Sequence, residues 1–101
     1  MDEFKKEKFE IEEAINSVLN SGQLILGPQV TAFEQEYAEF CGSNHAVGVG
    51  NGTDAITIGL RALGVGRGDE VVTVSNTAVP TVSGIIDAGA TPRFVDINPE
   101  T

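Results

Sequence analysis

The sequence predicts an α/β fold with parallel strands, in the order helix, helix, then β-α-β-α-β. Three observations lead there. The first forty residues carry apolar side chains at helical spacing. Three short, uncharged or weakly charged β-branched runs follow at 45–49, 71–74 and 93–97. Glycine- and proline-marked turns separate these runs from two helix-patterned stretches. Strands that alternate with helices across short connections imply a parallel sheet covered by those helices.

Residues 3–20 place Phe4, Ile11, Ala14, Ile15, Val18 and Leu19 on one stripe, with charges elsewhere. Asn20-Ser21-Gly22 is a C-cap composition and should stop this helix. "QLILGP" reads as extended and apolar. Pro28 suits the first turn of a second helix, where a missing N–H costs nothing. That helix should run to about Phe40, with Val30, Phe33, Tyr37 and Phe40 or Cys41 facing inward, and Gly42 should end it.

"HAVGV" (45–49) has the look of a strand buried on both faces. "TDAITIGLRALG" (53–64) spaces Ala55, Ile58, Ala62 and Leu63 helically, and Asp54 near its start favours the dipole. "GVGRGDE" (64–70) is a surface turn, and "VVTV" (71–74) a second strand. "SNTAVPTVSGIIDAG" (75–89) opens on capping residues, has Pro80 in what suits a first helical turn, and closes on Gly89. "RFVDI" (93–97) is the third strand, and "NPET" reads as a closing turn. The division is therefore a helical arm over 1–41 and a βαβαβ unit over 42–101.

Composition excludes several classes. With 101 residues the chain allows one small domain, and 41% apolar content allows a core. Net charge is −9, from 15 acidic and 6 basic residues, which argues against a nucleic-acid surface. Lys5, Lys6 and Lys8 stand among Asp2, Glu3, Glu7 and Glu10, as on a solvated helix face. No stretch approaches the length of a bilayer span. Cys41 is the only cysteine, so no intrachain disulfide exists, and with no signal-like N-terminal run the expected compartment is the cytoplasm. Cys41 reads as a small buried residue, and His45 as a strand-start residue with no catalytic partner nearby. No residue is assigned to a metal.

In an open parallel sheet, ligands bind beyond the carboxyl ends of the strands. Two such turns occur, Gly50-Asn51-Gly52-Thr53-Asp54 and Ser75-Asn76-Thr77-Ala78-Val79-Pro80. A helix N-terminus offers unpaired N–H groups and partial positive charge, glycine allows close approach, and Thr53 adds a hydroxyl. Together these suit a phosphate. The motif is modest, since neither G-x-x-x-x-G-K-[ST] nor G-x-G-x-x-G is present. On the residues alone, the first turn is either an ordinary capped helix start or a phosphate grip.

The segments "LGPQVTAFEQEYAEF", "GNGTDAITIGLRALG", "GRGDEVVTV" and "GATPRFVDINPET" shift that balance. In this order, and from Phe4 to Thr101, the chain resembles the start of the DegT/DnrJ/EryC1/StrS sugar aminotransferase family. The resemblance implies the N-terminal part of a fold-type I large domain, with pyridoxal 5′-phosphate as cofactor. It implies transfer of an amino group, commonly from glutamate, to the keto group of a nucleotide-linked sugar. It carries the cofactor-phosphate grip onto Gly52, Thr53 and Asp54. It also implies a homodimer, with the first two helices and "LILGP" near the interface and Leu26 and Gly27 near the substrate.

One cofactor position departs from the family pattern. Ala78 occupies the register of an aromatic residue that stacks on the pyridine ring. Alanine has no ring to stack, so packing comes from Val79 or another segment, or is weaker. Pro80 also stands where a small flexible residue is more usual.

Such enzymes need a lysine for the Schiff base and a carboxylate at the pyridine nitrogen. No lysine follows Lys8, and Asp87 and Asp96 lie in the wrong segments to replace the carboxylate. Asp87 is expected to be solvated on a helix, and Asp96 to cap the turn after the third strand. The resemblance places both catalytic groups downstream, so no catalytic residue is assigned here and the chain alone is expected to be inactive. In the family, later strands separate the first strand from the next two. A chain ending at Thr101 would leave strand edges open to aggregation or altered pairing. A related dehydratase with histidine in place of the lysine, a small phosphate-ligand-binding module, and a truncated non-catalytic fragment stay open as alternatives.

Overall fold

The computed structural model describes residues 2–101. The elements run α1 (Asp2–Ser21), α2 (Pro28–Cys41), α3 (Gly52–Ala62), β1 (Glu70–Val74), α4 (Val79–Asp87) and β2 (Thr91–Val95). Two compact units divide the chain, Met1–Gly48 and Val49–Thr101.

In the first unit, α1 ends where Ser21 donates its hydroxyl to the Val18 carbonyl at 2.7 Å and Gly22 turns to φ 70°. Pro28 opens α2 at its first turn. Gly42, at φ 66°, closes α2, with the Ser43 N–H reaching back to the Ala38 carbonyl at 2.9 Å. The stripes expected to face inward stand open. Phe33 is 60% exposed and Phe40 87%, and Ala38 is the buried side chain of α2. Cys41 is exposed, not buried as its apolar neighbours suggest. The helical period is right, but among the described residues no element of this unit covers that face of α2. The charged reading of α1 holds at Lys5, Glu7, Lys8 and Glu10, which are exposed. At Asp2, Glu3 and Lys6 it lies outside the described side chains.

The first expected strand, 45–49, is not a strand among the described residues. A strand needs a ladder partner, and here the Gly48 N–H donates instead to Glu34 Oε1 of α2 at 2.7 Å. His45 accordingly starts no strand. Its carbonyl accepts from the Ser43 hydroxyl at 3.0 Å.

In the second unit, β1 and β2 form a two-stranded parallel sheet, with Glu70 opposite Thr91 and Val74 opposite Val95. This strand–α4–strand crossover is the connection that parallel pairing requires. The second strand begins two residues before the expected Arg93 and includes Pro92, because proline is tolerated on an edge strand. The half-buried Val71, Thr73 and Pro92 share one sheet face. Glu70 and Arg93 pair on the other at 2.7 Å, exposed enough that the ion pair adds little stability.

Helix α4 packs on both strands and on α3. Ile85, Ala88, Ala90 and Thr57 form the core, with Ile85 only 2% exposed. The Thr57 hydroxyl donates to the Gly84 carbonyl at 3.1 Å, and Arg61 donates from Nη2 to the Asp87 carbonyl at 2.6 Å. Asp87 itself is exposed, as expected. After β2, Asn98 closes the turn through its side chain, accepting from the Glu100 N–H at 2.9 Å. The cap expected at Asp96 is therefore two residues further on.

Ile85 is the most enclosed large side chain, so Ile85→Ala should lower unfolding free energy by about 2–4 kcal/mol. Urea denaturation followed by circular dichroism measures this.

Candidate functional site

Helix α3 begins at the turn over 50–54, which follows a loop and not the strand expected at 45–49. Asn51 is its N-cap, with φ −165° and ψ 176°. Asn51 Oδ1 accepts from the Asp54 N–H at 2.8 Å, and Asn51 Nδ2 donates to Asp54 Oδ2 at 3.2 Å. The Ala55 N–H reaches the Asn51 carbonyl at 3.1 Å. The first four N–H groups of a helix have no partner one turn earlier inside it. Asn51 satisfies the third and fourth of them, and among the described residues those of Gly52 and Thr53 have no partner. Asp54 is thus not the cap. It is the residue that the cap engages, and its carboxylate is occupied by the Asn51 amide.

Two further features favour an anion at Gly52 and Thr53. The Thr53 hydroxyl has no intrachain partner among the described residues, and the residue is only half-buried. A Cβ at Gly52 would meet nothing within 4 Å, so the space beside this residue is open. Two open amides, a free hydroxyl and the positive end of an eleven-residue helix fit a phosphate group.

The second strand-to-helix turn supplies the start of α4. Ala78 is its N-cap, at φ −72° and ψ 149°, without a side-chain cap. Pro80 sits in the first turn, where its missing N–H is harmless. Thr77 and Thr81 share a hydrogen bond between hydroxyls at 2.8 Å, which ties the turn to the helix. Ala78 is exposed and presents only a methyl group to a ligand. It precedes Gly84, where α3 meets α4, by about 9 Å along the helix axis.

The other two sequence candidates lie in the first unit. Leu26 is left-handed at φ 50° and 81% exposed. A bulky residue in that region carries backbone strain of about 1–3 kcal/mol. The expected plain extended run through "QLILGP" is therefore bent at its end. Gly27 is the N-cap of α2, and a Cβ there would come within 2.9 Å of the Gln23 carbonyl oxygen. It lines a hollow of about 220 Å³ with Val18, Ser21, Leu24, Pro28 and Val30, which Leu26 does not join.

Asn51, not singled out among the expected site residues, is the cap. The signal was present in Asn51-x-x-Asp54, the spacing of an N-cap and its N3 partner.

The fold and turn define a class, an α/β unit in which a helix N-terminus with a glycine and a threonine follows a loop. Comparison with known proteins makes the class particular. The sequence model of the DegT/DnrJ/EryC1/StrS aminotransferase family matches residues 5–101, and the chain belongs to that family. It is 53% identical over 98 residues to a dTDP-3-amino-3,4,6-trideoxy-alpha-D-glucose transaminase of Micromonospora megalomicea subsp. nigra, covering 97% of this chain and 26% of that protein. It is 47% identical over 94 residues to a UDP-2-acetamido-2-deoxy-3-oxo-D-glucuronate aminotransferase of Pseudomonas aeruginosa, covering 93% and 26%. Among solved structures it resembles a Bacillus subtilis protein with bound cofactor PMP, with TM-score 0.89, 35% identity, and coverage of 95% of this chain and 22% of that one. The chain thus spans about a quarter of the relatives it matches, and its fold is the N-terminal part of a fold-type I aminotransferase. Among the described residues no helix is long and apolar enough to cross a membrane.

Asn51→Ala should cost about 1 kcal/mol of stability, with Asn51→Ser close to the wild type, because serine keeps the capping acceptor. Matched urea titrations of the two variants check this.

Proposed function

We infer that this chain is the N-terminal part of a pyridoxal phosphate-dependent enzyme that transfers an amino group to the keto group of a nucleotide-linked sugar. Glutamate is the kind of donor that reading expects. The observation that carries it is the open pair of amides at Gly52 and Thr53, beside the free Thr53 hydroxyl, in a chain of this family. The names of the relatives, which are transaminases of dTDP- and UDP-linked sugars, support the substrate class.

In this reading the cofactor, when bound, serves as an electron sink that carries the amino group. Gly52 and Thr53 hold its phosphate through main-chain N–H groups, and the Thr53 hydroxyl donates a further hydrogen bond. Asp54 orders the turn through Asn51 and does not touch the phosphate with its side chain. Ala78 borders the ring and leaves room beside it. Leu26 and Gly27 approach the substrate. Residues 1–41 act as the helical arm and 42–101 as the start of the cofactor-binding domain, in a cytoplasmic homodimer.

Lys5, Lys6 and Lys8, the only lysines, all lie in α1, so the covalent partner of the cofactor is expected from chain beyond Thr101. The same observation favours a second reading, a phosphate-ligand-binding chain without chemistry. Sequencing past the codon for Thr101 separates the two. An open frame with a lysine at a strand end supports the transferase. A stop codon directly after Thr101 removes catalysis from this chain.

Thr53→Ala should weaken pyridoxal phosphate binding by about 1–2 kcal/mol, the scale of one or two hydrogen bonds to a charged group. Absorbance titration of the full-length protein measures it, and unchanged affinity would remove Thr53 from the site.

A further inference from the structure

Helix α3 rests on α4 at a residue with no side chain. A Cβ built at Gly84 would lie 2.8 Å from both Cβ and Cγ2 of Ile56, and 3.2 Å from the carbonyl oxygen of Thr53. The Gly84 carbonyl accepts the Thr57 hydroxyl at 3.1 Å in a buried setting. Thr53, Ile56 and Thr57 are spaced i, i+3 and i+4, so one face of the start of α3 converges on this residue.

The backbone does not require glycine there. Gly84 lies inside α4 and is not among the residues with positive φ. Helix propensity alone favours alanine at such a position by about 1 kcal/mol. What excludes a methyl group is the closeness of α3. Ordinary contact begins at 3.4 Å, so a Cβ held at 2.8 Å from Ile56 would force the helices apart. The displaced end of α3 would be its first turn, which carries the open amides of Gly52 and Thr53.

We propose that Gly84 is a positioning residue for the phosphate-holding turn, its bare backbone fixing how deeply the first turn of α3 seats against α4. The proposal rests on the reading of Gly52 and Thr53 as the phosphate grip. Donor geometry matters because hydrogen bonds weaken steeply as their angles open. Gly84 touches no ligand and acts only through Thr53, Ile56 and Thr57.

Gly84→Ala and Ile85→Val in the intact protein provide the test. Ile85→Val shortens the neighbouring buried side chain and lowers stability while leaving position 84 bare. Two quantities are read for each: the amide chemical shifts of Gly52–Ala55 without ligand, and affinity for pyridoxal phosphate. Gly84→Ala should move those amide signals and weaken binding about tenfold or more, a loss on the scale of one hydrogen bond. Ile85→Val should lower Tm yet keep affinity within about twofold, because a small buried truncation costs stability rather than donor geometry. Unmoved amides in Gly84→Ala, or equal affinity losses in the two variants, overturn the proposal while the phosphate grip stands. Wild-type protein that fails to bind pyridoxal phosphate overturns the grip itself, and this proposal with it.

Discussion

The close approach of α3 to α4 at Gly84 is the contact around which the second unit is arranged. A buried hydroxyl, that of Thr57, is satisfied there by a main-chain carbonyl, so the approach incurs no unpaired polar group. The core beside it is built from small side chains, Ala88 and Ala90, with Ile85 the one large residue fully enclosed. Small residues let backbones lie near each other, and near backbones hold their relative height more firmly than long side chains do. Arg61 adds a second tie at the far end, donating to the Asp87 carbonyl where α4 runs out of internal partners. The middle and the C-terminal end of the helix pair are therefore tied through backbone carbonyls of α4.

Much of the local structure was legible because it is written in short-range chemistry. Pro28 and Pro80 fall in first turns, and Gly42, Gly64 and Gly89 turn left-handed just past three helices. These residues act on their own backbone and need no distant partner. Residues 45–49 and Cys41 were not legible in the same way. A β-branched run forms a strand only if another strand supplies hydrogen bonds, and a helix stripe is buried only if something covers it. The relatives are about four times as long as this chain, and the pattern in its first helices is that of a larger body. Periodicity reports what a face is suited to, and burial reports what is packed on it.

The candidate site divides along the same line. Glycines and a threonine at a helix start can be read directly as anion chemistry, and the family resemblance carries the expected grip onto Gly52, Thr53 and Asp54. Asn51 could have been read too, since its partner stands three residues on. Gly84 could not. It is thirty residues from the turn in sequence, and only the packing of one helix on another makes its missing methyl group meaningful. Leu26 is a further case, since no side-chain pattern announces a leucine at φ 50°.

The carboxylate of Glu34 gives residues 45–49 an unusual status. Main chain held in a ladder resists insertion, because an incoming strand must first break the hydrogen bonds already there. Here the tie at Gly48 is a flexible side-chain carboxylate, not a neighbouring strand. An arriving strand would compete with one glutamate for the Gly48 N–H. At Gly48 such an exchange trades a side-chain tie for a main-chain one, and no ladder has to open first.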